Sequence, residues 1–476
     1  MASKQQALTA IDRARQDLCA LSDAIWDHPE VGYHETFAAQ SFCDFLTREG
    51  FRVDTALAGI PTAFCGVYGS GSPVVGILAE FDALGGLSQE AEVLERRPAT
   101  PDGAGHGCGH NLLGVGSLAA ALAVKEYLAS GHSGTVKFFG CPAEEGGAGK
   151  GFMARDGVFD GLDLAFSWHP GDTNNVNNGS TLANYQVCYH FKGKSSHAAI
   201  SPELGRSALD AVELMNVGVQ FLREHVPQEC RIHYAITNSG GNSPGVVQPV
   251  ADVLYLMRAP QLYQVKDLYQ RVNDIAQGAA LMTGTQVEIE FIKACSNILN
   301  NQTLGMLMQK NLEELGGASY DEADRALAVA IRETIEQKDE YFRDLVQDVA
   351  DPELRSRMLE NADAPIHDLV IPYLGRERTS AASSDVGDVS WVCPVAQISM
   401  VTMPAGTGMH SWQQVAVGKS AMAKKGMLQA GRVIAAAAID ALADPEIVRQ
   451  AQQEKAQRTG GRSYDPPIPK DVRPRM

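Results

Sequence analysis

Short apolar segments that alternate with longer helical ones constrain this chain more than any other feature of its sequence. Strand-like runs occur in TAFCGVYG (62–69), PVVGILAE (73–80), GTVKFFGCP (134–142) and LDLAFSWHP (162–170). Between them, residues 112–129 are rich in alanine and leucine at helical spacing. This repetition predicts an α/β fold, in which a mixed sheet is covered by helices on both faces. Residues 395–406 predict another buried strand, residues 418–443 a long helix and residues 460–476 an irregular tail.

A different order of elements begins near residue 183. Strand-like runs at 184–198, 233–239, 250–259 and 287–295 are separated by helical runs at 207–226 and 267–284. The order β-α-β-β-α-β predicts a smaller, inserted α+β domain of the ferredoxin-like kind, suited to dimerisation. We therefore divide the chain into a catalytic domain in two parts (1–184 and 299–476) and a dimerisation domain (185–298). The polar stretch 317–375 predicts a helical insertion that elaborates the site.

The bulk properties of the chain exclude several classes of partner. The formal net charge of -17 disfavours binding to nucleic acid or to anionic membranes. No apolar run approaches the ~18 residues that a membrane span needs. Residues 1–26 lack the pattern of a signal peptide and predict one amphipathic helix. The nine cysteines include no CxxC pair, which is typical of a reducing compartment. We expect a cytoplasmic protein.

The stretch GHGCGHN (105–111) holds one cysteine and two histidines among glycines. Cys108 and His110 are one residue apart, so both side chains can point the same way from an extended backbone. Taken alone, the stretch is compatible with a metal site, a nucleophilic cysteine or a glycine-rich turn. No separate asparagine or aspartate signature of a cysteine hydrolase accompanies it.

Other polar residues come directly after predicted strands, where function gathers in α/β sheets. These residues are Asp82, Glu144, Glu145, His169 and, in a glycine-flanked loop, His410. Singly, each has an ordinary structural interpretation: adjacent glutamates are usually a solvated pair, and a lone histidine is usually hydrogen-bonded in the core or on the surface. Together with Cys108 and His110, they are good ligands for Zn²⁺ or Mn²⁺, and enough for two ions. A second carboxylate beside a ligand could act as general base.

Long, ordered motifs along nearly the whole chain resemble those of a known family. They include WDHPEVGYHE, GILAEFDALGGLSQE, GHGCGHNLLG, GCPAEEGG, FKGKSSHAAISPELGRSALDA and GMHSWQ. The chain resembles the co-catalytic metallohydrolases that include aminoacylases, glutamate carboxypeptidase and auxin-conjugate amidohydrolases. The resemblance implies an amidohydrolase that cleaves the amide bond of an aryl- or acyl-amino acid conjugate, such as p-aminobenzoyl-glutamate, with metal-activated water.

The resemblance also implies roles for individual residues. Two divalent ions, Zn or Mn, would be held by Cys108, His110, Glu145, His169 and His410. Glu144 would be the general base, and Asp82 would orient a metal ligand. His197, in KSSHAAISP, would reach across a homodimer to stabilise the oxyanion in the neighbouring active site. Arg258, in YLMRAP, would bind a substrate carboxylate. His106 receives no role.

Gly245 departs from the family pattern. The family usually has an asparagine, which helps to hold the substrate's carboxylate or carbonyl, at the position of Gly245. Asn242 lies three residues earlier and is the available substitute, although a shift of three along a strand changes the side-chain direction. Two alternatives stay open, the first because of Gly245 and the second because the resemblance extends to an enzyme of two related subunits. The first is a hydrolase of another C–N bond, in a dipeptide or an aromatic amide without the usual α-carboxylate. The second is an accessory subunit of a paralogous hydrolase.

Overall fold

The computed structural model describes residues 1–336 and 340–476. Its strands are β1 (Arg52–Thr55), β2 (Phe64–Ser70), β3 (Val74–Ala79), β4 (Gly134–Gly140), β5 (Leu164–Gly171), β6 (Asn175–Val176), β7 (Gly179–Thr181), β8 (Ala183–Lys192), β9 (Arg231–Asn238), β10 (Val250–Ala259), β11 (Gln286–Cys295), β12 (Arg378–Ser380) and β13 (Val395–Val401). Its helices are α1 (Lys4–Arg13), α2 (Arg15–Asp27), α3 (Thr36–Arg48), α4 (His110–Ala129), α5 (Gly149–Arg155), α6 (Ala208–Leu222), α7 (Leu262–Thr283), α8 (Gln302–Leu315), α9 (Glu322–Glu333), α10 (Tyr341–Gln347), α11 (Pro352–Glu360), α12 (Val386–Val392), α13 (Trp412–Val417), α14 (Ala421–Ala443) and α15 (Pro445–Thr459).

The larger part of the chain is built on one mixed sheet with the strand order β1-β2-β4-β3-β5-β13-β6. Strands β4, β3, β5 and β13 run parallel, whereas β1, β2 and β6 join antiparallel towards the two edges. All five strand-like runs predicted for this part of the chain form strands of this sheet. Because the parallel strands end at the same edge, the loops that follow them meet there.

Helices α4 and α14 form the centre of the core on one face of the sheet. Two glycines allow them to approach closely. A Cβ added at Gly116 of α4 would lie 2.6 Å from Trp168 Cζ2 and 2.9 Å from Met427 O of α14. A Cβ added at Gly431 of α14 would lie 2.8 Å from Ala119 Cβ. By length and composition both helices could span a membrane, but 83% of the most apolar segment of each is buried inside the protein. They are therefore core helices.

The opposite face of the sheet is covered by α5, α12 and the tail 460–476. The tail contains no helix or strand, as predicted, yet it is anchored. Ile468 is buried in the core on this face. The Tyr464 hydroxyl donates to Asp388 Oδ1 of α12 at 2.8 Å, and Ser296 Oγ donates to the same atom at 2.7 Å. Desolvation raises the pKa of Asp388 to about 6.

The inserted part of the chain forms a second sheet with the strand order β11-β8-β10-β9, antiparallel throughout. Helices α6 and α7 follow β8 and β10 and pack on this sheet, which is the predicted ferredoxin-like arrangement. One face of the sheet is buried against these helices. For example, the Tyr255 hydroxyl donates to Asn216 Oδ1 of α6 at 2.5 Å. The domain boundaries at residues 185 and 298 stay a prediction.

The structure corrects one predicted element and extends another. Residues 1–26 do not form one helix, because α1 ends at Arg13 and α2 begins at Arg15. The stretch 317–375 does contain helices, α9 to α11, and Phe342, Val346 and Ile371 form a small core of their own there. Residues 337–339 of this stretch lie outside the described residues. Its predicted part in elaborating the site stays a prediction.

The tight contact between α4 and α14 leads to a stability prediction. Gly116→Ala should destabilise the protein by about 1–3 kcal/mol, because the added methyl group overpacks the core. The matched control is Gly278→Ala in α7, where a Cβ meets nothing within 4 Å. There, alanine's better helix propensity should leave stability unchanged or raise it by up to about 1 kcal/mol. Urea unfolding midpoints of the two variants would measure the difference, and equal midpoints would contradict the packing argument.

Candidate metal centre

The candidate ligands lie where the parallel strands of the large sheet end. The residues and the elements that position them are Glu80 and Asp82 after β3, Cys108 before α4, His110 at the start of α4, Glu144 and Glu145 after β4, His169 in β5 and His410 between β13 and α13. These side chains come from five separate segments. Their convergence follows from the parallel order of the strands.

Three groups of side chains have ligand atoms within 4.8 Å of one another: Cys108 with His110 and His169, Cys108 with Glu145 and His410, and Glu80 with His110 and Glu144. The first two groups contain all five ligands named in the sequence analysis, and they share Cys108. Two three-residue groups that share one thiolate suit two metal ions a few Å apart.

Gly109 brings Cys108 and His110 to the same centre, though not through the extended backbone expected from the sequence. Gly109 has a φ of 76°, and His110 is the first residue of α4. Glycine adopts this left-handed conformation at little cost, so the chain turns sharply from Cys108 into the helix. The extended-backbone expectation was wrong, because the turn and not strand alternation aligns the two side chains.

Asp82 connects two of the candidate ligands. Its Oδ1 accepts a hydrogen bond from His110 Nδ1 at 2.9 Å, and its Oδ2 accepts one from the backbone N–H of Glu145 at 3.0 Å. His169 is oriented in a similar way, because its Nδ1 donates to the Pro170 carbonyl at 2.8 Å. When an imidazole is neutral and donates from Nδ1, its Nε2 carries a lone pair that is available to a metal.

Unpaired buried atoms test whether these residues fit a metal. His110 Nε2 and Glu145 Oε1 are both buried without a hydrogen-bond partner among the described residues. Glu80 Oε2 lies 3.3 Å from His110 Nε2 without completing a hydrogen bond. A buried polar atom without a partner is costly. A divalent cation would satisfy both atoms, so the donor set fits a metal centre.

The thiol and one carboxylate of the centre respond differently to their surroundings. Burial raises the pKa of Cys108, and the charge of His110 offsets this only in part, so the thiol form is favoured without a cation. Desolvation also opposes the charged form of Glu145. The hydrogen bond from His410 and the charges of His110 and His410 together outweigh that effect, so the pKa of Glu145 is lowered. The distance from His410 Nε2 to Glu145 Oε2 is 3.4 Å.

Glu144 adjoins a buried charge cluster that the sequence analysis did not identify. Lys150 Nζ lies 2.7 Å from Glu80 Oε1 and 2.5 Å from Asp385 Oδ1, and all three of these side chains are buried. Desolvation, followed by the negative charges of Glu80 and Asp385, raises the pKa of Glu144 well above its ordinary value. A carboxylate with a raised pKa can hold a proton and release it, as a general base and acid must.

Two residues of the VGYHE motif fix the loop that carries Glu144 and Glu145. Glu35 Oε1 accepts the backbone N–H of Ala143 at 2.7 Å, and the Tyr33 hydroxyl donates to the Gly147 carbonyl at 2.7 Å. Ala143 has a φ of 57°, which is unfavourable for a residue with a side chain. Burial raises the pKa of Glu35 to about 7. These contacts hold the loop ends, so the two glutamates keep a defined position.

Four other predicted residues lie outside these groups. His197 is exposed, and Ala198 N–H donates to the Gly245 carbonyl at 2.9 Å, which joins the His197 loop to the Gly245 loop. Asn242 is exposed on the second loop. Arg258 lies on β10 and donates from Nη1 to Ser383 Oγ at 2.8 Å. His106, which has no predicted role, is buried, and its Nε2 lies 3.1 Å from the Ile25 carbonyl.

A cavity of about 370 Å³ opens beside the candidate centre. Glu145, Leu84 and Tyr33 line it on the side of the large sheet, while Gln186, Leu254 and Ile292 line it on the side of the small sheet. Ligand pockets commonly lie between domains and begin at about this volume. We call this cavity the cleft.

The chain belongs to the metal-dependent hydrolases described as Peptidase family M20/M25/M40, whose sequence profile matches residues 76–344. Within that family it is similar to one of the two named subunits of the p-aminobenzoyl-glutamate hydrolase of Escherichia coli, with 45% identity over 467 residues, 98% of this chain and 97% of that protein. The predicted family and enzyme class, a metal-dependent amidohydrolase, are confirmed.

Two further relatives are more distant. The Xaa-Arg dipeptidase of Mus musculus is 33% identical over 327 residues, which are 66% of this chain and 72% of that protein. The crystal structure of a dinuclear metal-binding M20 peptidase from Bacillus subtilis has a TM-score of 0.56, with 17% identity, and covers 91% of this chain and 99% of that chain. The structural match supports the same fold.

The double role of Asp82 predicts a specific effect on metal binding. Asp82→Asn should weaken metal affinity by about 10–100-fold, because His110 loses the carboxylate that fixes its orientation. Competition with a chromophoric chelator would measure the affinity. Asp27→Asn is the control. Asp27 is an exposed carboxylate that pairs with Lys419 and belongs to none of the three ligand groups. Unchanged metal affinity in a folded Asp82→Asn variant would contradict the role.

Proposed function

We propose that this chain hydrolyses the amide bond of an aryl- or acyl-amino acid conjugate of the p-aminobenzoyl-glutamate kind. The observation that carries the proposal is the pair of ligand groups sharing Cys108, with Glu144 directly beside one of the ligands. The E. coli relative, named for this substrate, is similar along nearly the whole chain. This similarity favours its substrate over the Xaa-Arg dipeptides for which the mouse protein is named.

We propose two divalent ions, Zn²⁺ or Mn²⁺, as the cofactors. Cys108, His110 and His169 would hold one ion, and Cys108, Glu145 and His410 the other. When bound, such ions supply a Lewis acid for the carbonyl and lower the pKa of water. The mixture of one thiolate, three imidazoles and one carboxylate suits both metals.

The protein's own groups then perform the proton transfers. Glu144 accepts a proton from the attacking water at its carboxylate, which the raised pKa allows it to retain. The protonated Glu144 then donates to the amide nitrogen as that nitrogen departs. Asp82 keeps the imidazole of His110 in one orientation throughout. The Tyr33 and Glu35 contacts hold the Glu144 loop in place, which lowers the entropic cost of aligning Glu144 with the substrate.

His197 would act in the active site of a second protomer. Its Nδ1 accepts hydrogen bonds from the backbone N–H groups of Ala199 and Ile200, each at 3.2 Å. A neutral imidazole that accepts at Nδ1 carries its proton at Nε2, which is thus available to donate to an oxyanion. His197 is exposed and belongs to none of the ligand groups of its own chain. Both observations support action in trans.

The small sheet offers a surface for a homodimer. Strand β9 is at the edge of its sheet, and most of its residues are exposed. The outer side of α6 exposes Leu214, Val217 and Phe221 at helical spacing, and the side chain of Phe221 is 70% exposed. Unpaired strand edges and exposed apolar side chains favour association. A paralogous subunit is the alternative partner, since the E. coli relative is named as one subunit of its enzyme. We propose a cytoplasmic location.

The two alternatives make different predictions. An accessory subunit has no need of a complete ligand set, so the retention of all five candidate ligands and of Glu144 favours an active chain. A hydrolase of another C–N bond would use the same metal centre and differ in substrate binding, where Gly245 has no side chain. A Cβ at Gly245 would meet only Ser243 Oγ, at 3.9 Å. An asparagine therefore fits there, and Gly245→Asn can test this difference.

Glu144→Gln should abolish the reaction without affecting the metals. We expect the metal-loaded wild-type chain to release p-aminobenzoate from p-aminobenzoyl-glutamate. The variant should retain two ions and lose several orders of magnitude in kcat, because glutamine cannot accept the proton. Product chromatography and elemental analysis would measure these outcomes, with Zn²⁺ and Mn²⁺ compared.

The same assay separates the alternatives. Hydrolysis of dipeptides or simple aryl amides without p-aminobenzoyl-glutamate would favour the other C–N bond. Activity that appears only after addition of a paralogous chain would favour the accessory subunit. A Glu144→Gln variant with near-normal turnover would contradict the assignment of the base.

Hybrid dimers would test the trans role of His197. Mixed with a His197→Ala chain, a Glu144→Gln chain should regain activity, because one of the two sites in the hybrid would have both intact residues. Each variant alone should be inactive or nearly so. Exchange of protomers would be verified with two affinity tags. Exchange without recovered activity would contradict action in trans.

A further inference from the structure

The tail that follows α15 crosses from the large sheet to the small one. Near its start, Tyr464 binds Asp388 of α12. Further along, Arg155 Nη1 of α5 donates to the carbonyls of Pro469 at 3.1 Å and Val472 at 2.7 Å. Lys266 of α7 reaches Asp465 at 2.8 Å. These contacts fix an otherwise irregular segment across the boundary between the two parts of the molecule.

The tail delivers Arg475 to the cleft. Arg475 is one of its lining residues, together with Gln186, Leu254 and Ile292 of the small sheet. The lining contains only one other charged residue among those described, Glu145, which is a candidate metal ligand. The remaining lining side chains are apolar, aromatic or uncharged. A guanidinium group thus lies on the wall that the small sheet and the tail provide.

The partners of Arg475 hold it without using its whole binding capacity. Its Nε donates to Glu290 Oε1 at 3.1 Å, and its Nη2 contacts Glu290 Oε2. Its Nη1 has no partner among the described residues. The side chain is 51% exposed, so the pair with Glu290 is accessible to solvent and to a ligand. A guanidinium group binds carboxylates with two parallel hydrogen bonds, which favours specific recognition.

Glu290 has a second cationic partner. His190 Nε2 lies 3.0 Å from Glu290 Oε2, and His190 Nδ1 lies 2.7 Å from Asp252 Oδ1. Because both ring nitrogens face carboxylates, both donate when the ring is protonated. If Arg475 turned to a ligand, Glu290 would remain paired with His190. This arrangement lowers the cost of exchanging one carboxylate for another at Arg475.

We propose that Arg475 binds a substrate carboxylate that is remote from the scissile amide, on the wall of the cleft that the small sheet and the tail provide. The inference rests on the proposed function and specifies its substrate class: conjugates with an anionic side chain, such as the γ-carboxylate of glutamate. A cationic side chain, as in a dipeptide that ends in arginine, would meet the positive charge of Arg475. The apolar side chains that line the cleft, such as Leu84 and Leu254, suit the uncharged part of such a substrate.

The test compares two substrates that differ by one charge. The wild-type chain should cleave p-aminobenzoyl-glutamate with a higher kcat/KM than p-aminobenzoyl-glutamine, in which a neutral amide replaces the γ-carboxylate. Arg475→Gln should lower kcat/KM for the glutamate conjugate by about 10–100-fold, mainly through KM, and leave the glutamine conjugate almost unaffected. Arg475→Lys keeps the positive charge but loses the planar guanidinium group. Its kcat/KM for the glutamate conjugate should lie between those of the wild-type chain and Arg475→Gln.

Arg473→Gln is the matched control. Arg473 lies two residues before Arg475 in the same tail, is exposed and donates to the Lys470 carbonyl, so its substitution should leave both substrates unaffected. A wild-type chain without preference for the glutamate conjugate would overturn the proposal. So would an unchanged preference in Arg475→Gln, or an equal loss with both substrates.

A direct binding experiment distinguishes failure of this inference from failure of the proposed function. If the wild-type chain cleaved neither conjugate, the proposed reaction would be wrong. Calorimetric titration of the metal-loaded chain with glutamate and with glutamine would still test Arg475. Tighter binding of glutamate that disappears in Arg475→Gln supports the carboxylate site. Equal binding of the two ligands, or no binding, contradicts it.

Discussion

The two hydrogen bonds accepted by Asp82 determine how the rest of the centre is arranged. One bond fixes the first residue of α4 and the other fixes the loop after β4, so a single carboxylate aligns His110 with Glu145. That alignment is possible because Asp82 follows β3, which lies between β4 and β5 in the sheet. The packing of α4 against α14 then keeps the helix start in place. The fold thus serves to hold a few side chains at fixed separations.

The centre carries more negative charge than its own cations offset. The buried Glu80, Asp82 and Asp385 and the half-buried Glu144 and Glu145 lie around one lysine, Lys150, and three histidines. Unpaired buried charge is unfavourable, so such a site either holds protons or binds cations. The raised pKa of Glu144 represents the first response, and the unpaired atoms of His110 and Glu145 indicate the second. Both responses are those that a hydrolytic metal centre needs.

Sequence alone predicted the sheet, the inserted small domain and the convergence of the ligand residues, because each depends on local periodicity and on strand order. It missed Glu80, although Glu80 ends the predicted strand PVVGILAE and lies two residues before Asp82, so an extended backbone would place both side chains on the same side. Lys150 could not be found in this way. Its burial depends on Asp385, which is distant in sequence, and a lysine in a glycine-rich stretch of sequence is usually exposed. The role of the tail was missed because an irregular segment has no periodicity.

The ligand group of Cys108, Glu145 and His410 has a consequence for folding. His410 is separated from Cys108 by about three hundred residues, so an ion held by both would close a loop that encloses the whole small domain, at a large entropic cost. The ion would contribute its binding free energy to the native state alone. The metal would therefore act as a removable crosslink between the two halves of the catalytic domain. Its loss would release this crosslink at the strand ends, while the core that α4 and α14 share would still join the two halves.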